Sequence, residues 1–333
     1  MEASEVIQSR KCFVKMKQWS ISAHNSFKRC QRQFFFKSVM AWHNAKDPDR
    51  REAYLLAQLR TIDTWQGHLI HLALERFFVP SLQRKALISR EDLIAATLTL
   101  ARQQWEFSER RDYRKDGIHK SDSYLALREH EYGLPISEAE FGAVIEKAKT
   151  CYSFLYSHEG FLGFLQKGSW YSSEPLLNFS VDGTLAVARL DLVMGYGEGK
   201  LCIIDWKIGE SLTSDYSIQL RLYAYAALKK WPRYRVENIL LVEANLLQGK
   251  LLKHTIDHDG LLQTEDLIYR SLSDIKALGN GNGYQDQNLE DYGYARSPMS
   301  CEYCNFERLC VRLHYDKPYS ESLSSGKFDW FEL

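Results

Sequence analysis

At 333 residues, with 45% hydrophobic and 13% aromatic content, the chain can bury one large core or roughly two to three small ones. Its 43 basic and 43 acidic residues cancel, so the whole-molecule field points to no polyanionic partner. The longest apolar runs, such as Ile239 to Val242, fall far short of the ~20 residues of a membrane span, and Met1-Glu2-Ala3-Ser4-Glu5 lacks the apolar segment of a signal peptide; a cytoplasmic protein with no membrane partner is expected.

The charge is unevenly spread. No acid occurs from Ile7 to Lys46, where Arg10, Lys11, Lys15, Lys17, Lys28, Arg29, Arg32, Lys37 and Lys46 alternate with Phe13, Trp19, Phe27, Phe34, Phe35, Phe36 and Trp42. Cations beside aromatic platforms suit a nucleic-acid strand, and a solvated helix face over a buried aromatic stripe would give the same pattern. Gly67 to Phe78 predicts a helix with Ile70, Ala73, Leu74 and Phe77 on one side and His71 and Glu75 one turn apart on the neighbouring side. Ser89-Arg90-Glu91-Asp92 and Ser137-Glu138-Ala139-Glu140 read as helix starts, the second a capping box, and the charge-rich stretch from Glu109 to Glu131 between them reads as an exposed insertion or solvated helix.

From Trp170 the pattern turns to short strands: Leu176 to Val181, Leu185 to Met194, Leu201 to Trp206, Asn238 to Leu247 and Leu251 to Ile256, with hairpin signals at Asp182-Gly183 and Gln248-Gly249. Ser217 to Lys230 predicts a crossover helix, so the fold expected is α/β (α+β), a mixed β-sheet flanked by helices. Leu261 to Leu278 is again helical, and Gly279-Asn280-Gly281-Asn282-Gly283 ends that helix rather than cradling a phosphate, because a nucleotide loop follows a strand.

Asp191 is expected to close one apolar strand and Asp205 the next, so pairing would bring both carboxylates to one end of the sheet, where oxygen ligands suit Mg2+ or Mn2+. Asp205 and Lys207, two apart on a strand, share a face, and the ammonium would sit where it can lower a water's pKa or steady charge on phosphate. An exposed strand-end ion pair is the plain alternative. A histidine from the helical half could complete the coordination shell.

Gly67-x-x-x-His71-x-x-Leu74-Glu75, then Asp191, Ile204-Asp205-Trp206-Lys207-x-Gly209 and Gln219-x-x-x-Tyr223 follow in this order. That series resembles the RecB-type PD-(D/E)XK nucleases, and the cysteines Cys30, Cys301, Cys304 and Cys310 resemble the iron-sulfur branch that includes the AddB nuclease domain and the CRISPR-associated RecB-like exonucleases. The resemblance runs from about Ser20 to Arg312 and implies a restriction-endonuclease-like core. It implies that His71, Asp191, Asp205 and the Trp206 carbonyl hold the metal, that Lys207 serves the nucleophilic water, and that Gln219 and Tyr223 lie beside the substrate backbone. Glu75 is either a support behind the ligands or a surface acid, Tyr223 could be core, and Glu174 before Pro175 is a weaker candidate for the rim. Ala188, Gln31 and Ile208 replace the family's usual glycine, proline and threonine, and none removes a functional group.

Seven cysteines in such a sequence argue against a disulfide framework, and Cys12, Cys151 and Cys202 read as bystanders. Cys301-x-x-Cys304-x(5)-Cys310 lacks a fourth ligand, which Cys30 would supply, stapling the chain ends together. Four thiolates suit zinc or a 4Fe-4S cluster, and spacing does not decide; the resemblance points to iron-sulfur. The organisation expected is a basic tail over 1–19, a helical region over 20–168, the nuclease core over 169–260 and a cluster lobe over 261–333. The activity implied is a Mg2+- or Mn2+-dependent DNase acting on single strands or ends, with helicase or CRISPR integrase partners; a catalytically silent DNA-binding or assembly subunit is the second reading. No Gly-x-Ser-x-Gly elbow supports a metal-free hydrolase.

Overall fold

The computed structural model describes residues 18–209, 217–279 and 287–315. The basic tail with Arg10 to Lys17, Cys12 and Phe13, and the run Asn280 to Gly283, lie outside the described residues. The chain divides into two compact units: residues 55–269, and the chain ends, up to Tyr54 and from Arg270.

In chain order the helices are α1 (Ile21–Arg29), α2 (Gln31–Phe34), α3 (Pro48–Leu56), α4 (Ile62–Ala73), α5 (Val79–Gln83), α6 (Arg90–Glu109), α7 (Arg128–Tyr132), α8 (Glu138–Ser157) and α9 (Glu159–Gln166). The strands β1 (Trp170–Ser173), β2 (Leu176–Val181), β3 (Thr184–Arg189), β4 (Leu192–Tyr196) and β5 (Lys200–Lys207) follow. Then come α10 (Ser217–Lys230), β6 (Ile239–Asn245), β7 (Lys250–His254), α11 (His258–Gly279), α12 (Met299–Glu302) and α13 (Glu307–Tyr315). None of the described helices is long and apolar enough to cross a membrane.

In the unit 55–269, five strands form one sheet in the order β1-β4-β5-β6-β7, with β5 and β6 parallel and the other pairs antiparallel. The parallel pair is joined through α10, as the sequence predicts; this is a mixed sheet flanked by helices, a restriction-endonuclease-like core. β2 and β3 form a separate hairpin whose Asp182 and Gly183 both have positive φ (50° and 68°), the backbone of a tight primed turn.

The single strand expected over Leu185 to Met194 is two. β3 pairs in the hairpin and β4 in the large sheet, and the chain leaves the ladder at Leu190 and Asp191, where Leu190 N–H donates to Pro175 O at 3.2 Å. No glycine or proline marks this break, so periodicity runs through it.

One side of the sheet packs on α4, α5, α8 and α9 through Ile70, Leu74, Tyr152, Phe161, Ile204 and Trp206. A second cluster, with Trp65 and Trp105 at its centre, joins α4, α6 and α8. Both predicted helix starts occur: Ser89 caps α6, and Ser137 with Glu140 forms the capping box of α8. The expectation of an exposed insertion over Glu109 to Glu131 fails at both ends. Tyr113 and Leu125 to Leu127 are buried, Leu127 bridges Arg60, and Glu131 pairs with Arg114, so exposure is confined to residues 109–111 and 115–122. Charge density hid two short apolar anchors.

In the unit of the chain ends, the aromatic stripe is core: Trp19, Phe27, Phe34, Phe35 and Phe36 are buried, and Trp42 alone among the six named from Trp19 onward is exposed. Trp19 Nε1 donates to Ser271 Oγ at 2.9 Å, and Lys28 pairs with Asp274. The Arg32 guanidinium, 2% exposed, donates to Tyr292 O at 3.1 Å, meets Glu290 at 2.6 Å and lies 3.8 Å over the Tyr294 ring. The cations over this stripe thus serve folding as much as display.

Candidate active site

The sheet brings the two acids together through register. Leu192 pairs with Ile204, so Asp191, one residue ahead of β4, lies opposite Asp205 on β5. Asp191 therefore opens a strand instead of closing one. Its Oδ2 accepts the Trp206 N–H at 2.7 Å, and its Oδ1 stands 3.3 Å from His71 Nδ1. Alternation along β5 sends Asp205 and Lys207 to the cleft and Trp206 the other way, into the core edge-on to Phe161.

Asp205 is 1% exposed, and its Oδ2 lies 2.6 Å from Lys207 Nζ without accepting a well-directed hydrogen bond. Gln219, on α10, donates to Asp205 Oδ1 at 3.3 Å, accepts from Lys207 Nζ at 3.2 Å and donates to the Tyr223 hydroxyl, one turn on along the helix. Tyr223 is buried yet tied into this network, so core packing and participation coexist.

His71 comes from the end of α4, and the chain then widens into a π-turn over Leu74–Phe78, a form that concentrates at functional sites. That turn carries Glu75, whose pKa is raised by burial and by the nearby Glu174 carboxylate. Glu174 itself stands higher in the site than the sequence suggests. Its backbone is left-handed (φ 48°), a conformation costly for a residue with a Cβ, and its N–H donates to Asp191 O at 2.9 Å. The Glu174 carboxylate lies 3.9 Å from His71 Nδ1 and 3.8 Å from Arg189. Only the Pro175 that follows it, which disfavours helix at Glu174, hinted at this special backbone.

Together His71, Asp191, Asp205, Lys207 and Gln219 line a cleft of about 510 Å3, and Lys147 from α8 lines it too. Lys147 carries no sequence signal beyond its place on an amphipathic helix.

The donor set fits a hard divalent cation. One ligand atom each from His71, Glu174 and Asp191 lie within 4.8 Å of one another, and Asp205 offers an under-satisfied buried oxygen beside them. The electrostatics agree. Burial works to lower the His71 pKa, but Asp191 and Glu174 prevail and push it up to about 10. Burial, then the Asp191 charge, lift Asp205 well above the usual carboxylate range against the pull of Lys207. Concentrated negative charge of this kind takes up protons when no cation is there to share it.

In the unit of the chain ends, Cys30, Cys301, Cys304 and Cys310 line one apolar pocket with Phe36 and Phe306. Gln33 donates to both Cys30 Sγ (backbone, 3.4 Å) and Cys304 Sγ (side chain, 3.6 Å). Burial, helped by the neighbouring Cys30, Cys310 and Cys301 thiols and opposed by a hydrogen bond from the Phe306 backbone, pushes Cys304 up to about 12 as a free thiol. Cys151 and Cys202 are buried elsewhere, in the sheet-helix core.

No curated protein sequence matches the chain. Among solved structures, a candidate exonuclease from Eubacterium rectale aligns with a TM-score of 0.44 and 13% identity over 93% of each chain. The structure of SSO0001 aligns with a TM-score of 0.26 and 21% identity, covering 52% of this chain and 77% of that one. Neither similarity is close enough to carry an argument about fold or activity. The sequence model of the PD-(D/E)XK nuclease superfamily, in contrast, matches residues 18–311. With a match over that length, the chain belongs to the PD-(D/E)XK nuclease superfamily.

Proposed function

We propose that this nuclease is a Mg2+- or Mn2+-dependent deoxyribonuclease that hydrolyses phosphodiester bonds, with single-stranded or free-ended DNA as substrate. The observation that carries the reading is the meeting of Asp191, Asp205, Lys207 and His71 in one cleft from three separate chain segments. His71, Asp191, Asp205, Glu174 and the Trp206 carbonyl would hold the cation, which when bound polarises the phosphate and acidifies water. Lys207, 14% exposed and fixed between Asp205 and Gln219, places a positive charge where the phosphoryl group gains negative charge. Gln219 orients both ends of the Asp205-Lys207 pair, and Tyr223 orients Gln219. The hydrophobic floor of Trp206 and Phe161 keeps β5 rigid beneath them.

The RecB-type iron-sulfur branch is the place in the superfamily that the cysteines favour, with Cys30, Cys301, Cys304 and Cys310 holding a 4Fe-4S cluster. Four thiolates suit a structural zinc as well, and the resemblance is what favours the cluster. Helicase or CRISPR integrase partners, and a setting in CRISPR adaptation, defence or recombination, follow from that branch.

The test is a time course on 5′- and 3′-labelled linear and closed-circular DNA with and without Mn2+, run beside D205A and K207A. Metal-dependent cleavage lost in both variants supports the assignment. Cleavage at the normal rate by either variant ends it, and a chelator-insensitive gel shift without cleavage favours a silent DNA-binding subunit instead.

A further inference from the structure

Beyond His71, away from the acids, two basic side chains, Arg60 and Lys120, collect near His68, and among the described residues no carboxylate pairs with any of the three. Arg60 stands just ahead of α4, and its backbone is pinned in a bridge: its N–H donates to Ala126 O and its C=O accepts from Arg128 N, both at 2.8 Å. The guanidinium that this bridge presents is half-buried and has no hydrogen bond or ion pair among the described residues. Lys120, exposed on the loop before the bridge, contacts Gln58 Oε1 two residues ahead of Arg60, and its ammonium lies 5.9 Å over the Tyr124 ring. His68 sits one helical turn before His71 on α4.

Most acids within reach in sequence are held by other groups. Asp122 pairs with Arg76 at 2.7 Å, Asp63 accepts from Gln66 at 2.9 Å, Glu174 faces His71 and Arg189, and Glu129 Oε1 accepts the Ile62 N–H at 3.1 Å while its Oε2 is buried without a partner. The field left behind is positive. Burial, then Arg60, His71 and Arg189, push His68 down to about 3, so its ring is a neutral hydrogen-bond donor at the edge of a cationic patch. Burial and then Arg60 also lower the Lys120 pKa.

A half-buried guanidinium without an anion is costly, and it persists where a ligand supplies one. In a phosphodiesterase the anion at hand is the next phosphate of the same strand. His68 and His71 are three residues apart, ~4.5 Å along the helix axis, so a strand seated with one phosphate at the acids runs its neighbours over this patch.

We propose that Arg60, His68 and Lys120 form a phosphate-binding site that grips the DNA strand beside the scissile position. This rests on the nuclease reading of the cleft.

Binding of fluorescein-labelled single-stranded DNA, followed by anisotropy across a salt series with Ca2+ replacing Mn2+, tests it. The R60Q/K120Q variant should bind about tenfold more weakly at low salt and lose about 1.4 from the slope of log K against log salt. In cleavage assays the loss should fall on KM more than on kcat. Unchanged affinity and slope overturn the proposal. K120E, at an exposed position, repeats the test where folding is not in question, and thermal melts check R60Q/K120Q. Single neutral methylphosphonates walked along the strand should weaken the native protein at one or two positions flanking the cut and leave R60Q/K120Q indifferent at those positions. Equal losses in both proteins would also overturn it. If the native protein binds with the expected slope but never cuts, the nuclease reading falls while the phosphate site stands; if it cuts and the variant binds unaltered, the phosphate site alone falls.

Discussion

Asp191 uses its two oxygens on two different elements: Oδ2 accepts the Trp206 N–H at 2.7 Å and Oδ1 lies 3.3 Å from His71 Nδ1. One bond locks the carboxylate to β5, and the lock aims the other oxygen at the cleft. Asp191→Asn keeps an acceptor for Trp206 but loses the anion, whereas Asp191→Ala loses both. Both variants should lose cleavage, and the alanine variant should in addition be about 1.5–3 kcal/mol less stable. Cleavage assays with thermal melts separate the two effects; an active asparagine variant would remove Asp191 from the ligand set.

Glu174 holds a left-handed backbone to place its carboxylate near His71. Glu174→Gln keeps the size and loses the charge, and Mn2+ affinity should fall about 10- to 100-fold. Titration calorimetry with Mn2+ decides it, and an unchanged affinity would confine the cation to His71, Asp191 and Asp205.

The metal-free protein should lose stability as pH rises. His71, with its folded pKa raised from 6.5 to about 10, contributes stability that is complete below pH 6.5 and lost as pH climbs through about 10. Asp205, whose carboxyl is also raised, binds more protons folded than unfolded and adds to the same trend at lower pH. Melting temperatures in chelator should decline from pH 6 to pH 10 for the native protein and decline less for His71→Ala. Parallel curves would contradict the charge balance described for the cleft.

Cys30→Ser should strip visible absorbance near ~400 nm and bound iron from protein purified without oxygen. It should also expose the chain ends to protease, because the pocket draws on both of them. A colourless native protein carrying zinc would replace the iron-sulfur assignment.

Gly195 is tested by volume. A Cβ added there would meet Trp170 Nε1 at 2.3 Å and Ser169 Oγ at 2.7 Å, so Gly195→Ala must displace the indole that packs on Trp231. The cost should be about 1–3 kcal/mol in a denaturant melt, with Mn2+ affinity retained.

Much of this core was readable from local rules. The hairpin at Asp182-Gly183, the capping box at Ser137 and the helix from Ser217 to Lys230 each depend on neighbours in sequence, and each stands where periodicity and turn chemistry put it. The facing of Asp205 and Lys207 follows in the same way from strand alternation. What sequence could not carry is set by distant partners. The break before β4 arises because β3 and β4 belong to different sheets, a fact with no local mark. Glu174 acquires its position from a backbone conformation that opposes its own propensity. Lys147 and the Arg60 patch depend on how α8 and the 126–128 segment pack, and the aromatics from Trp19 to Phe36 look alike in sequence whether they stack on bases or fill a core.

The wide turn at Leu74–Phe78 absorbs one surplus residue without rotating the helix on either side of it. Shortening the chain there by one position would let ordinary α-geometry close, with the imidazole still facing the acids and Val79 and Leu82 still facing inward. A shortening between positions 67 and 71 has no such slack and would swing the imidazole by about 100°. Tolerance to length change should therefore switch from nil to high within a few residues, and this stretch is the natural place for relatives to differ in length.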